Sequence, residues 1–448
     1  MPIDPANRAR FGAGFAEPPL MAIGDSLYNG VRSLTINREL AALSVPAMVA
    51  NAMAVPFVIP DYPRPIVGDF EEFIRQGINL DRLRALAADN GDAWLASGPA
   101  WSSKLFFDNI AIAGAEVGDL IEDTSANYKA QVPALIASLR HGGPLGDLAK
   151  LHYALNASYL LNPSGEPDLD DCTPLEIVAF RRPKRLLVSI GANEGLFMAC
   201  FMGIYDERTI AQIDKLPDLL ETLATTMAAL FAKNTIPAIY FNKLIKPSTV
   251  ANLMPRVDQL PPGCGKYYAD YVGRLSGGVN QISAKRMAAF DKQIDTINTD
   301  IEKRVRRILG KTRKIGFADA YSMAALHDHK HGCETPADQV RVDHHGRDFR
   351  LSNLPLSVVP LFGGFKEGGL FGLDNMHPTC AGYALLANEM LRAIKATEPT
   401  TQFTPVDIQA AYDRDSLMHS LPNDWDFVTL LVGLLGSLGF LGSGASVF

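Results

Sequence analysis

Three residues in two short segments of the chain have the types and the spacing needed to hydrolyse an ester. Ser26 follows an apolar run in MAIGDSLYNG, and a serine hydroxyl is a weak nucleophile unless a positioned base takes its proton. The segment GLDNMHP provides such a base, His377, with Asp374 three residues before it. One turn of chain can bring that carboxylate to the imidazole, where it fixes the tautomer and stabilises the imidazolium. The three residues therefore predict a serine triad.

Acyl transfer also needs hydrogen-bond donors aimed at the oxygen that gains negative charge. Gly114, in AIAGAEV, has no side chain to block its backbone N–H, and Asn193, in SIGANEG, carries an NH₂ donor. With the N–H of Ser26, these donors form the expected oxyanion hole. Asp25 is not the expected catalytic acid, because a side chain next to the nucleophile generally points away from the site. A local turn or helix-start hydrogen bond is the expected use of Asp25.

In chain order, these residues resemble the conserved blocks of the GDSL (SGNH) hydrolases. The blocks are Gly24-Asp25-Ser26-Leu27, Gly114, Gly191-x-Asn193 and Asp374-x-x-His377. The resemblance implies a flavodoxin-like α/β/α sandwich and a serine esterase or lipase that forms an acyl-enzyme, with no metal and no cofactor. It assigns Ser26, Asp374 and His377 to the triad, and Ser26, Gly114 and Asn193 to the oxyanion hole. Two features depart from the family: Glu194 replaces the usual aspartate, and Gly114 lies farther from Ser26 than in compact members.

The elements that must position these residues are short apolar runs alternating with helical stretches, which indicates an α/β protein with a mainly parallel sheet. Strands are predicted in PLMAIGDS, FFDNIAIAG, RPKRLLVSI, IPAIYFNKL and RKIGFADA. Helices are predicted at 210–233, at 278–309, after Pro378, and from Thr404–Pro405 with Asp407 in the first turn. Ser26, Gly114 and Asn193 all follow predicted strands, where open α/β sheets place their sites.

The predicted hydrolase domain covers residues 18–396, and a C-terminal extension with a short helix and an apolar tail covers 397–448. Long, loop-rich insertions interrupt the domain, at about 32–104, 141–181, 246–275 and 321–372. Around the carboxyl ends of the strands, such insertions could form walls or a lid over a pocket. The apolar first insertion suggests an acyl-chain pocket, although ordinary core packing explains the same residues.

Composition narrows the class of partner. A formal charge of −7 and a pI near 5.8 argue against a nucleic-acid binder, so the expected partner is a small-molecule or lipid ester. The five cysteines are far apart and form no CxxC pair, which favours reduced thiols: Cys172, Cys200, Cys264, Cys333 and Cys380. The N-terminus has no long apolar segment typical of a secretory signal, so a cytoplasmic location is expected. Peripheral membrane association and export without such a signal are the alternatives.

The tail from Phe427 to Phe448 has no charged side chain and is long enough to span a bilayer. However, glycine recurs at every third position from Gly433 to Gly442, and no lysine or arginine flanks the segment. This pattern favours packing of the tail on the protein or on a second subunit. Membrane contact and an uncleaved export signal remain open.

A histidine-rich segment, LHDHKHGCETPADQVRVDHH, provides a rival site. Its potential ligands are His327, His329, His331, Cys333, His344 and His345. Imidazoles at short spacing can collect zinc, but no HExxH or CxxC motif accompanies them, so a solvated polar loop is predicted. The alternatives to an esterase are therefore a thioesterase or carbohydrate deacetylase with the same triad, a non-catalytic binding protein, and a metal-dependent hydrolase built on this segment.

Overall fold

The computed structural model describes residues 17–421, except for 78, 99, 232–234, 258, 275, 320–327, 334–339 and 360–363. The strands are β1 (Met21–Gly24), β2 (Arg185–Ser189), β3 (Ala238–Asn242), β4 (Leu253–Met254), β5 (Asp270–Gly273), β6 (Ile282–Ser283), β7 (Lys314–Ala318), β8 (Arg341–His344), β9 (Arg347–Arg350), β10 (Ser357–Val359) and β11 (Gly364–Glu367).

Helices cover much of the remaining described chain. They are α1 (Ser26–Asn29), α2 (Arg38–Ala42), α3 (Val45–Ala52), α4 (Phe70–Arg75), α5 (Leu80–Leu95), α6 (Asp119–Glu122), α7 (Ser125–Lys129), α8 (Val132–Arg140), α9 (Leu145–Leu161), α10 (Pro174–Arg181), α11 (Leu196–Met202), α12 (Glu207–Ile213), α13 (Leu216–Leu230), α14 (Ala284–Leu309), α15 (Cys380–Thr397), α16 (Ile408–Asp413) and α17 (Ser416–His419).

A parallel sheet of four strands, in the order β1–β2–β3–β7, lies at the centre of the protein. Ile23 pairs with Val188, Val188 with Phe241, and Phe241 with Phe317, so apolar side chains run across the sheet. Parallel sheets with helices on their faces are built from such continuous apolar strands. The predicted α/β class is therefore confirmed, as are four of the five predicted strands. Outside this sheet, the described strands form small antiparallel pairs and one three-stranded sheet.

The remaining predicted strand, in FFDNIAIAG, is irregular. Its backbone follows β1, because the Ala22 N–H donates to Asp108 and the Ile110 and Ile112 N–H groups donate to Ala22 and Gly24. These bonds have the alternation of a parallel ladder, yet only an isolated bridge, Ala22 to Asn109, is formed. The segment occupies the edge of the sheet without becoming a regular strand.

Three of the four helix predictions are confirmed in position. Helix α14 buries one side along its length, and α15 begins just after Pro378, with Thr379 as its N-cap. The single helix predicted over 210–233 is wrong, because the chain forms α12 and α13 with a break near Asp214. Pro217 stands in the first turn of α13, where proline is tolerated. The last predicted helix begins only at Ile408, with Asp407 as its N-cap rather than inside it.

The first two insertions are helical rather than loop-rich. Residues 32–104 contain α2 to α5, and residues 141–181 contain α9 and α10. Helix α9 buries apolar side chains along its whole length, such as Leu148 and Leu155, because α5, α7 and α8 pack around it. A helix buried on most sides lacks the amphipathic period that marks a surface helix. This explains why the sequence pattern did not reveal it.

The cysteine prediction is wrong for two residues. Cys264 and Cys333 form a disulfide across 69 residues, while Cys172, Cys200 and Cys380 are buried and form no disulfide within the described residues. The pairing cannot be deduced from cysteine spacing, since the two insertions that carry it meet only in the folded chain. In the part of the chain that the structure describes, no helix has the length and apolarity to cross a bilayer. The apolar tail, Phe427 to Phe448, lies outside the described residues.

Candidate active site

Ser26 lies in a tight turn at the carboxyl end of β1, where it is the first residue of α1. Gly24 has φ +135°, and a Cβ there would lie 1.8 Å from the carbonyl oxygen of Ser189, so only glycine fits. The N–H of Asp25 donates to that carbonyl over 2.7 Å, which holds the turn against β2. The turn thus leaves Ser26 partly exposed at the edge of the sheet.

The structure brings Ser26, His377 and Asp374 into contact. The Oγ of Ser26 lies 2.9 Å from Nε2 of His377, and the Nδ1 of His377 lies 2.7 Å from Oδ2 of Asp374. Asp374 is fully buried, and its Oδ1 accepts the N–H groups of Met376 and His377. With the Nδ1 proton directed at Asp374, Nε2 is the acceptor for the Ser26 hydroxyl. This geometry can deprotonate the hydroxyl as it attacks a carbonyl carbon.

Gly114 follows the edge segment that runs beside β1. Its φ of +91° favours glycine, and a Cβ would lie 3.4 Å from the ring of Tyr153. The Ile112 N–H donates to the carbonyl of Gly24 over 2.8 Å, which brings this loop to the turn that carries Ser26. Within the described residues, the backbone N–H groups of Gly114 and Ser26 have no acceptor. Both are therefore able to donate to a bound oxygen.

Asn193 and Glu194 follow β2 and hold the Gly114 loop from the other side. The Asn193 amide donates one hydrogen to the carbonyl of Ala115 over 2.8 Å, and its NH₂ carries a second. The Glu194 carboxyl accepts the N–H of Val117. Burial raises the pKa of Glu194 to about 8. Glu194, which departs from the family pattern, thus ties the two loops of the expected oxyanion hole together.

Asp25 makes the helix-start hydrogen bond expected of it. Its carboxylate accepts the N–H of Leu27 over 3.1 Å, as the N-cap of α1, and also the hydroxyl of Ser189 over 3.4 Å. Burial raises the pKa of Asp25 to about 7 despite these bonds. The carboxylate therefore fixes the turn around Ser26, and the acid bonded to His377 is Asp374.

An apolar cavity of about 820 Å³, its open mouth included, reaches Ser26 and His377. The Phe197 ring packs 5.4 Å from the His377 ring at one wall. Gly114 and Asn193 are not among the described residues of the lining. Its apolar side chains include Leu27, Ile190, Leu196, Phe197, Leu244, Ile245, Val250, Phe371, Met376 and Leu386. The insertion at 32–104 contributes no described residue to this cavity, and many of its apolar side chains are buried in the core.

His152, on α9, was not predicted from the sequence. It is buried, and burial together with the charge of His377 lowers its pKa to about 4. His152 is therefore neutral near pH 7 and adds no positive charge beside His377. A histidine among leucines and alanines of one helix carries no motif that would reveal this position.

The predicted solvated histidine loop is wrong for residues 328–333. His331 is buried, with Nδ1 2.7 Å from Asp328 and Nε2 2.7 Å from the Tyr271 hydroxyl. Lys330 is fully buried, and its ammonium donates to the carbonyls of Val250 and Leu253, while burial lowers its pKa to about 8. His329 is also buried, and Cys333 is in the disulfide. This part of the segment is a structural polar core.

The remaining histidines of the segment lie apart from that core. His344 ends β8, and His345 lies in the hairpin turn that follows. Both approach His419, on α17, which the sequence pattern did not single out. His327 lies outside the described residues.

Comparison of the chain with protein-family models, with curated proteins and with solved structures gives no match. The function of the protein must therefore be inferred from the geometry around Ser26 and from the chemistry that these side chains can perform.

Proposed function

We propose that the protein is a carboxylic-ester hydrolase of the GDSL (SGNH) type, with Ser26 as nucleophile, His377 as base and Asp374 as its orienting acid. The observation that supports this most strongly is the chain of contacts from Ser26 Oγ to His377 to Asp374, at 2.9 and 2.7 Å. Ser26 and His377 are 351 positions apart, and a hydrogen bond between them at the mouth of a cavity has the geometry of an activated serine.

In the proposed reaction, His377 Nε2 takes the Ser26 proton as Oγ attacks the ester carbonyl carbon. The tetrahedral intermediate collapses when His377 returns this proton to the leaving alcohol, which gives an acyl-Ser26. Water then attacks the acyl carbon with His377 again as base, and the carboxylic acid and free Ser26 are released. Asp374, bonded to Nδ1 of His377, holds the ring in place and stabilises the imidazolium as it forms.

The donors proposed for the oxyanion are the N–H groups of Ser26 and Gly114 and the second amide hydrogen of Asn193. The bonds from Asn193 to Ala115 and from Val117 to Glu194 hold their loops in place before substrate binds. Donors fixed in advance stabilise the transition state without a reorganisation cost.

The sheet also supports a flavodoxin-like arrangement. When the edge segment through Asn109 is counted as the second strand, the order along the sheet becomes 2-1-3-4-5. This is the flavodoxin-like order, whose sites lie outside the carboxyl ends of the strands. Ser26, Gly114 and Asn193 all follow strands or the edge segment at that end.

The apolar lining of the cavity favours an acyl chain over a sugar as the group bound beside Ser26. Esters and thioesters of apolar acids therefore rank above acetylated carbohydrates. A non-catalytic binding protein is less well supported, because Ser26, His377 and Asp374 are all present and in contact. The disulfide between Cys264 and Cys333 supports a location in an oxidising compartment, and so favours export over the cytoplasmic location expected from the sequence.

A fluorophosphonate probe tests the nucleophile. We expect one label per chain, on Ser26, and loss of both label and ester turnover in Ser26→Ala. The matched control is Ser189→Ala, which removes a second serine of the cavity lining, one whose hydroxyl donates to Asp25, and this variant should remain labelled. Equal labelling of Ser26→Ala and the wild type would exclude Ser26. A series of p-nitrophenyl esters from acetate to palmitate, with a thioester and an acetylated sugar, then identifies the acyl group and the leaving group.

A further inference from the structure

Three histidines from two separate parts of the chain meet at one surface position. His344 and His345 come from the β8–β9 hairpin, and His419 comes from the end of α17. One ring nitrogen of each lies within 4.8 Å of the others. None of the three is among the described residues that line the cavity at Ser26. This cluster is therefore separate from the proposed active site.

The spacing suits a transition-metal ion after a small adjustment. Zinc binds imidazole nitrogen at about 2.0–2.1 Å with tetrahedral geometry, which places the nitrogen atoms of two ligands about 3.3 Å apart. His345 and His419 are exposed, so their rings can rotate inward without disturbing the core. His344 is held more firmly and provides a fixed point. Three imidazoles leave the fourth tetrahedral position for water.

Tyr412, on α16, contacts two of the rings. Its hydroxyl lies 2.8 Å from Nδ1 of His344, and its carbonyl oxygen lies 3.3 Å from Nε2 of His419. Metal-binding histidines almost always have their other ring nitrogen hydrogen-bonded in this way, which fixes the tautomer and the ring direction.

The backbone at His345 decides which substitution can test the site. His345 and Gly346 are the two central residues of the hairpin turn and have φ of 51° and 78°. Asparagine followed by glycine is the preferred pair in such turns, because asparagine tolerates positive φ. Asparagine can therefore replace His345 without loss of the turn.

We propose that His344, His345 and His419 bind a divalent transition-metal ion of the zinc class. The ion would join the β8–β9 hairpin to α17 and so stabilise the packing of these two elements.

Zinc binding to the full-length protein, stripped of metal and titrated against a chromophoric chelator, tests the proposal. We expect one ion per chain, an increase of Tm with zinc, and a tetrahedral absorption spectrum with cobalt. His345→Asn removes a ligand while retaining a residue that suits the turn. It should weaken zinc binding by more than about 100-fold, which exceeds the effect of losing a residue that only hydrogen-bonds a ligand. Tyr412→Phe removes only the hydroxyl beside His344 and should weaken binding by about 10–100-fold.

The matched control is His141→Asn, an exposed histidine at the end of α8, far along the chain from the cluster. It should bind zinc like the wild type. The proposal is overturned if the wild type takes up no zinc, if His345→Asn and the wild type bind equally, or if His141→Asn loses as much affinity as His345→Asn. Comparing Tm of the stripped proteins shows whether each variant is folded, so a loss of binding is not mistaken for unfolding.

Discussion

Two Asp-x-x-His segments of this chain form the same pair of side chains in different surroundings. In one, Nδ1 of His377 lies 2.7 Å from Asp374; in the other, Nδ1 of His331 lies 2.7 Å from Asp328. In both, the aspartate also accepts the backbone N–H of its histidine. All four residues are buried. The local spacing therefore specifies the carboxylate–imidazole contact in both places.

The two pairs differ in what meets the second imidazole nitrogen. Nε2 of His377 meets the hydroxyl of Ser26, which is partly exposed at an apolar cavity. Nε2 of His331 meets the Tyr271 hydroxyl, which is buried and whose pKa burial raises far above its usual value. A phenol held protonated, with no described cavity beside it, offers no nucleophile to a substrate. The aspartate–histidine pair alone is therefore a structural unit. Access of a substrate and the identity of the group at Nε2 determine whether the pair can be reactive.

Removing the two histidines should give the largest contrast. His377→Ala should lower kcat for a soluble ester by about 10⁶-fold, because no base then accepts the Ser26 proton. His331→Ala should leave kcat of the folded protein near that of the wild type, but lower the free energy of unfolding by about 2–4 kcal/mol, since Asp328 loses its partner inside the protein. Turnover and thermal unfolding are measured on the same preparations. Equal losses of kcat in the two variants would contradict the claim that only the pair at His377 is catalytic.

The two aspartates should give a smaller contrast of the same kind. Asp374→Asn retains the shape of the side chain but favours the wrong tautomer of His377, so kcat should fall by about 10⁴-fold with little change in Tm. Asp328→Asn should change Tm and not kcat. An Asp374→Asn variant that retains wild-type turnover would show that Asp374, like Asp328, serves only the fold.

The parts of the fold and site that the sequence predicts are those specified by local pattern. The runs before Ser26 and Asn193 are apolar on both faces of the sheet and end in glycine, so strand and turn are both visible. Asp374 and His377 are three positions apart, which is close enough for a local contact. The irregular edge segment is less visible, because Asp108 and Asn109 use their side chains as well as their backbone for hydrogen bonds with distant parts of the chain.

Features that depend on distant segments could not be predicted from the sequence. The burial of His331 requires Tyr271, the disulfide requires two insertions to meet, and the approach of His344 to His419 requires α17 to pack beside the hairpin. The helical insertions were predicted to be loop-rich because α9 is buried on most of its surface. In each case the determining contact is tertiary, and no short motif records it.

The oxyanion hole has no counterpart beside His331, and Asn193→Ala tests it. Loss of one preset donor should lower kcat by about 10²–10³-fold, or about 2.7–4 kcal/mol of transition-state stabilisation, with little change in KM. Slow fluorophosphonate labelling should survive, because Ser26 and His377 remain. If Asn193 serves only to hold Ala115, Tm should fall while kcat of the folded fraction stays near that of the wild type, which would remove Asn193 from the site.

The smallest expected effect concerns stability against pH, for which the two regions should have opposite signs. Burial alone would raise the pKa of Asp328, but the bonds and charges of His331, Lys330 and Asn353 lower it below 3.8 overall. Its stabilising contribution is therefore present above pH 3.8 and lost as the pH falls through the lowered pKa. Burial raises the pKa of Glu194 from 4.5 to about 8, so its contribution is full below pH 4.5 and is lost as the pH rises towards 8.

Glu194→Gln should remove this loss, because glutamine is neutral at every pH and its carbonyl oxygen can still accept the Val117 N–H. At pH 9 the variant should exceed the wild type by about 1 kcal/mol or more in free energy of unfolding, whereas at pH 4.5 the two should be nearly equal. Burial also raises the pKa of Asp25, to about 7. The free energy of unfolding of the variant should therefore still fall with rising pH, but less steeply than that of the wild type. Asp328→Asn, measured alongside, should lose stability at pH 7 and show less further loss on acidification than the wild type. Parallel curves for Glu194→Gln and the wild type between pH 5 and pH 9 would show that Glu194 is ionised in the folded protein, and would remove the contrast between the two regions.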